Sequence, residues 1–136
     1  MTGKERFGSL VEAAKMARDR AYSPYSGVKI GAAVLGSDGK IYTGVNIENA
    51  SYGLSCCAER TAIFKAVSEG SRKITAMAVV GKSEEFTKPC GACRQVMIEF
   101  NPGMKVLRRG IDGFSEDGTA SDLLPDHFSP AELKRK

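Results

Sequence analysis

All four cysteines of this chain fall in two tight clusters, Cys56-Cys57 and Cys90-x-x-Cys93. So few thiols, so closely grouped, do not make the spread framework of a disulfide-stapled secreted protein. A chain of 136 residues buries roughly two-thirds of its unfolded surface and holds a core without staples. It is expected to form one domain over 1–136. Its 42% hydrophobic and 26% charged residues are ordinary for a soluble protein. No apolar run reaches the roughly 18 residues of a membrane span, and the opening MTGKERFGSL lacks the apolar core of a signal peptide. A reducing, cytoplasmic location is therefore expected, where clustered cysteines bind metal or do chemistry. The net charge of +4 is interspersed, with only short basic clusters at Arg108-Arg109 and Lys134-Arg135-Lys136. A nucleic-acid groove with interleaved aromatics is not expected.

Periodicity supplies the scaffold. Phe7, Leu10, Val11, Ala14, Ala17 and Ala21 fall at helical spacing, predicting a helix over Lys4–Ala21 that Ser23-Pro24 breaks. Val28, Ile30, Ala32 and Val34 alternate as a strand. The turn Ser37-Asp38-Gly39-Lys40 leads to a second strand over Ile41–Val45. Asn46 to Ser55 reads as loop. A helix is predicted from near Cys57 to Ser68, a buried strand over Ile74–Val80, and a loop over 82–89. A helix over Gly91–Phe100 and a short strand over Lys105–Leu107 follow, then turns and a short helix after Pro125 or Ser129. Helices alternating with strands predict an α/β layered domain.

Cys57 and Cys90 sit at predicted helix starts, each after a loop. Cys90 and Cys93 are one helical turn apart, so both sulfurs can face one point. Helix N-termini favour anions and help to hold cysteines as thiolates. Cys57 joins them if the two helix starts lie side by side, and three thiolates at one point suit Zn²⁺. A closed structural site needs a fourth protein ligand. Cys56 points away from its neighbour, and His127, the single histidine, lies far along a polar stretch. The fourth position is thus expected to be open, as in a catalytic centre. Glu59, two residues past Cys57, could simply complement the helix dipole. Beside an open metal position it can instead carry a proton from water to a leaving group. Three thiolates leave the ion with net charge −1, so Arg60 and Arg94 are expected to withdraw charge through hydrogen bonds to ligand sulfurs.

The spacing Cys57-x-Glu59…Pro89-Cys90-x-x-Cys93 resembles that of the zinc nucleoside and nucleobase deaminases. Tyr22-Ser-Pro-Tyr-Ser26, Asn46-Ile-Glu-Asn-Ala-Ser51, Cys57-Ala-Glu-Arg-Thr-Ala62, Pro89-Cys-Gly-Ala-Cys-Arg-Gln95 and Leu123-Leu-Pro125 extend the match. Over nearly its whole length the chain resembles the small, homotetrameric, three-cysteine cytidine deaminases. The resemblance implies a three-layer α/β/α sandwich with a central mixed five-stranded sheet and the metal at two helix N-termini. It implies one Zn²⁺ per chain on Cys57, Cys90 and Cys93, with Glu59 as the catalytic proton carrier. It implies that Asn46 and Glu48 hold the ribose hydroxyls and that the Ala58 backbone meets the pyrimidine. Phe128 matches an aromatic that reaches the base in a neighbouring subunit, and active sites shared in a homotetramer follow. The family usually has an aromatic where this chain has Val28, so the wall against the base is expected to be wider, admitting N4-substituted cytidines.

The implied reaction is hydrolytic deamination of cytidine and 2′-deoxycytidine to the uracil nucleosides, a step of pyrimidine salvage. A deaminase of blasticidin S-type antibiotics shares the zinc motif, but Asn46-Ile47-Glu48 favours a ribose. A polynucleotide deaminase would need contacts to flanking phosphates. A purely structural zinc or binding module would need a fourth ligand.

Overall fold

Gly31 and Gly44 mark where two helices touch the sheet. A Cβ on Gly31 would strike the Ala14 carbonyl and lie 2.8 Å from the Arg18 nitrogen. One on Gly44 would strike the Ala62 nitrogen and lie 2.7 Å from the Ala58 carbonyl. The helices concerned are α1 (Gly3–Arg18) and α2 (Ala58–Ser68), and they cover opposite faces. The computed structural model describes residues 3–81, 88–110 and 113–134; the expected loop over 82–89 therefore lies mostly outside them.

The sheet consists of β1 (Gly31–Gly36), β2 (Ile41–Val45), β3 (Ile74–Val80), β4 (Lys105–Gly110) and β5 (Gly113–Thr119), in the order β2-β1-β3-β4-β5. Only β3 and β4 pair in parallel, so the sheet is mixed as expected. Leu10, Val11 and Ala14 of α1 pack on Ala33, Leu35, Ala76, Ala78, Val80 and Leu107. On the opposite face, Ala32, Val34, Met77, Val79 and Val106 meet α2 together with α3 (Gly91–Phe100). Alternate residues of β1 and β3 thus serve two cores, and every residue of β1 is buried. This is the three-layer α/β/α sandwich.

Several boundaries differ from the sequence reading. Helix α1 ends at Arg18 rather than Ala21, because Arg20 and Ala21 turn back onto Ala17 and Arg18, and Tyr22 bridges to Ile47. Strand β1 begins at Gly31, since the Asn46 side-chain oxygen, rather than a strand carbonyl, takes the Ile30 amide. Strand β5 was expected as turns: its residues, Gly-Phe-Ser-Glu-Asp-Gly-Thr, carry no apolar alternation, and its backbone pairing with β4 creates it. A short α4 (Ala120–Leu123) begins with a capping box between Thr119 and Asp122, and α5 (Pro130–Lys134) fulfils the expected C-terminal helix.

Candidate metal centre and active site

The loops that end at Cys57 and Cys90 deliver both residues as helix N-caps, in extended conformation with φ near −70°. Neither sulfur caps its own helix. They turn toward each other instead: the Cys57 and Cys90 sulfurs are 3.8 Å apart, and those of Cys90 and Cys93 are 3.4 Å apart. Three sulfurs about 2.3 Å from a tetrahedral zinc lie about 3.8 Å from one another. The triangle fits that ion, and all three sulfurs lie within 4.8 Å of each other. Cys56 is not part of it, because the Thr61 hydroxyl donates to its sulfur at 3.7 Å. His127 holds the Leu124 carbonyl at 2.8 Å through Nδ1. Among the described residues no fourth protein ligand joins the group.

Electrostatics at the triangle favour a thiolate. The Cys57 thiol is lowered to about 5, chiefly by the hydrogen bond from Cys93 and further by the Arg60 guanidinium. Arg60 Nη2 donates to the Cys57 sulfur at 3.6 Å, which raises the arginine's own value in return. Arg94 differs from the expectation that it would contact a sulfur. Its Nε donates to the Pro89 carbonyl and its Nη1 to the Leu123 carbonyl, both at 2.8 Å. It fastens the lead-in to Cys90 onto the C-terminal segment, leaving charge compensation to Arg60.

Glu59 occupies the second position of α2 and is only 3% exposed. Burial raises its carboxyl to about 7, and the adjacent Cys57 thiolate pushes the same way. A carboxyl poised near neutrality can both take and return a proton.

A cavity of about 320 Å³ opens against this group, lined at one end by Cys57, Ala58, Glu59, Lys88 and Cys90. The first helical bond of α2 runs from the Thr61 amide to the Cys57 carbonyl. The amides before it in the first turn have no partner within the helix. Val28, Asn46 and Glu48 line the other walls with Ser26, Ile30 and Ser55. Asn46 Nδ2 donates to the Val28 carbonyl and Oδ1 accepts from the Ile30 amide, each at 2.8 Å. Glu48 accepts from the Tyr25 and Ser26 amides and from the Ser26 hydroxyl, which lower its carboxyl below the ordinary value. Both side chains serve the turn and keep lone pairs, and in Asn46 one N–H, for a ligand. Ile47 exchanges backbone hydrogen bonds with Cys56 at 2.9 Å, tying the Asn46–Glu48 segment to the residue before Cys57. Val28 is 43% exposed at the wall. Phe128 is exposed, its carbonyl accepts from Gln95, and it does not line this cavity.

Lys88, Ser26 and Ser55 were not singled out in the sequence. The Pro89-Cys90 motif flags Lys88 by adjacency, whereas the serines carry no comparable signal.

Three thiolate-forming sulfurs at two helix starts, a buried carboxylate beside them and an open cavity in front define the class of zinc-dependent hydrolytic centres. The sequence pattern of the family described as "Cytidine and deoxycytidylate deaminase zinc-binding region" matches residues 5–107. A cytidine deaminase of Sporosarcina psychrophila is 50% identical over 125 residues, covering 91% of this chain and 92% of that one. The crystal structure of cytidine deaminase from Burkholderia pseudomallei superposes with a TM-score of 0.84 at 49% identity, over 94% of this chain and 100% of that one. That of cytidine deaminase from Mycobacterium tuberculosis gives 0.78 at 38% identity, over 90% and 96%. The chain belongs to the cytidine and deoxycytidylate deaminase family, which is zinc-binding.

Proposed function

We propose that this chain hydrolyses cytidine and 2′-deoxycytidine to uridine and 2′-deoxyuridine, releasing ammonia. The observation that carries the reading is the near-neutral, buried Glu59 set beside a zinc-sized triangle of sulfurs at the end of a nucleoside-sized cavity. Cys57, Cys90 and Cys93 would hold Zn²⁺, which supplies a Lewis acid that acidifies water. Glu59 accepts one proton from the attacking water and passes it to N3 as C4 is attacked, then moves the proton of the new C4 hydroxyl to the exocyclic nitrogen, which leaves as ammonia as the C4 carbonyl forms. Atoms balance as cytidine plus water giving uridine plus ammonia. Arg60 steadies the charge on the Cys57 sulfur. Asn46 and Glu48 grip the ribose hydroxyls, and the Ala58 backbone meets the pyrimidine edge. These roles run through residues 1–136 as one domain.

Val28 supplies less area than a ring and leaves the wall against the base open, so cytidines substituted on N4 are accommodated. A panel of N4-substituted cytidines against the parent and Val28→Phe tests this; unchanged relative kcat/KM values would refute it. Phe128, facing solvent in the isolated chain, would complete the site of a neighbouring subunit in a homotetramer. Light scattering after size-exclusion chromatography decides the assembly. No helix among the described residues is long and apolar enough to cross a membrane. The reading places the enzyme in pyrimidine salvage in the cytoplasm. The deciding assay follows loss of cytosine absorbance on cytidine, deoxycytidine and blasticidin S, before and after chelation. Turnover of blasticidin S alone would replace this reading with the antibiotic deaminase.

A further inference from the structure

The end of the cavity nearest the sulfur triangle is lined by Cys56, Cys57, Ala58, Glu59, Lys88 and Cys90. Ala58 and Glu59 are buried and Cys56 and Cys57 are half-buried, whereas Lys88 and Cys90 are exposed. Lys88 and Cys90 are thus the exposed residues of the lining at this end. Lys88 is also the one Lys or Arg among the described residues that line it. Arg60 is committed to the Cys57 sulfur, and Arg94 to two carbonyls. Pro89, held by Arg94, fixes the backbone from which Lys88 projects. With the ribose at Asn46 and Glu48 and C4 at the sulfur triangle, the exocyclic nitrogen is at the Lys88 end. A substituent on that nitrogen leaves the cavity past Lys88.

We propose that Lys88 is a specificity-determining residue whose ammonium receives a carboxylate carried at the end of an N4-acyl substituent, so that anionic N4-acylcytidines are preferred to neutral ones of the same shape. The inference rests on the nucleoside pose described above. Lys88 is the cationic side chain among the described lining residues that the substituent's terminus can meet.

The test compares N4-succinylcytidine with N4-butanoylcytidine, which differ by a terminal carboxylate against a methyl group. Their apparent inhibition constants against cytidine deamination are measured for the parent, Lys88→Met, Lys88→Arg and Lys88→Glu. An exposed ion pair changes binding by up to about fivefold, so Lys88→Met should shift the succinyl-to-butanoyl ratio by about that factor. Lys88→Glu should shift it further, and Lys88→Arg should restore the parent ratio. The parent's preference should shrink as ionic strength rises, which a structural role for Lys88 would not produce. An equal ratio across all four proteins refutes the role of Lys88 while leaving the nucleoside pose intact. Failure of both compounds to compete, with cytidine still turned over, refutes this inference and the N4 tolerance together but not cytidine deamination. Failure of the pose itself would appear separately, as an unchanged KM for cytidine in Asn46→Ala and Glu48→Gln.

Discussion

Replacing Glu59 with Gln should make the protein nearly inactive and more stable at once. The carboxyl is 3% exposed, and its value is raised from 4.5 to about 7, mainly by burial. That displacement corresponds to about 3 kcal/mol between the two protonation states. A carboxyl raised above its unfolded value contributes stability that is present below 4.5 and lost as pH rises through 7. Glutamine is neutral throughout and escapes the loss. The variant should therefore melt higher than the parent by about 10 °C at pH 8 and about 6 °C at pH 6. These melting differences refer to the metal-free protein, in which Cys57 carries the charge that faces Glu59. Meanwhile kcat should fall by about 10²- to 10⁴-fold, because Glu59 is the carboxyl beside the triangle among the described residues that line the cavity and glutamine cannot carry its proton. The assay pairs turnover on cytidine, at equal measured zinc content, with thermal unfolding of the metal-free proteins at both pH values. A kcat within tenfold of the parent would remove Glu59 from proton transfer. A melting difference that does not grow with pH would show that the carboxyl is not held in an unfavourable burial.

Arg60→Met should weaken zinc retention by about 10- to 100-fold in competition with a chelator, because the Cys57 sulfur loses its guanidinium donor. Gly44→Ala should destabilise the fold by about 1–3 kcal/mol and reduce activity with it, since the added carbon meets the backbone of α2; a denaturant titration checks this. Asn46→Ala should cost about 1–3 kcal/mol by leaving the Val28 carbonyl and Ile30 amide without their partner, and should raise KM more than it lowers kcat. Chelation should abolish turnover, and added Zn²⁺ should restore it, with metal content following activity.

The parts of the site that could be read along the chain are those set by local spacing. Cys57, Glu59, Cys90 and Cys93 lie within a turn of two helix starts, and the stripe Ala62, Ile63, Ala66 marks the face of α2 that meets the sheet. The stripe on α1 and the apolar run of β3 were visible for the same reason. What was hidden depends on partners distant in sequence. Arg94 was expected at a sulfur, yet one of the carbonyls it reaches belongs to Leu123, 29 residues away. Strand β5 has no apolar signature because it is an edge strand made by backbone pairing with β4. Short α4 rests on a reciprocal cap between Thr119 and Asp122, two residues within an otherwise turn-like stretch. Lys88 gains its place only once the cavity exists.

The two cysteine N-caps have a consequence for the order of local events. Most helices begin with an oxygen-bearing side chain that ties down the first free amides. Here Cys57 and Cys90 withhold that service and give their side chains to each other. The opening turns of α2 and α3 are thus fastened by whatever joins the sulfurs rather than by their own residues. Release of the metal should first register as faster amide exchange over residues 58–61 and 91–94, while the amides of β1 and β3 stay protected. The centre is in this sense the clasp of both helices as well as the seat of their chemistry.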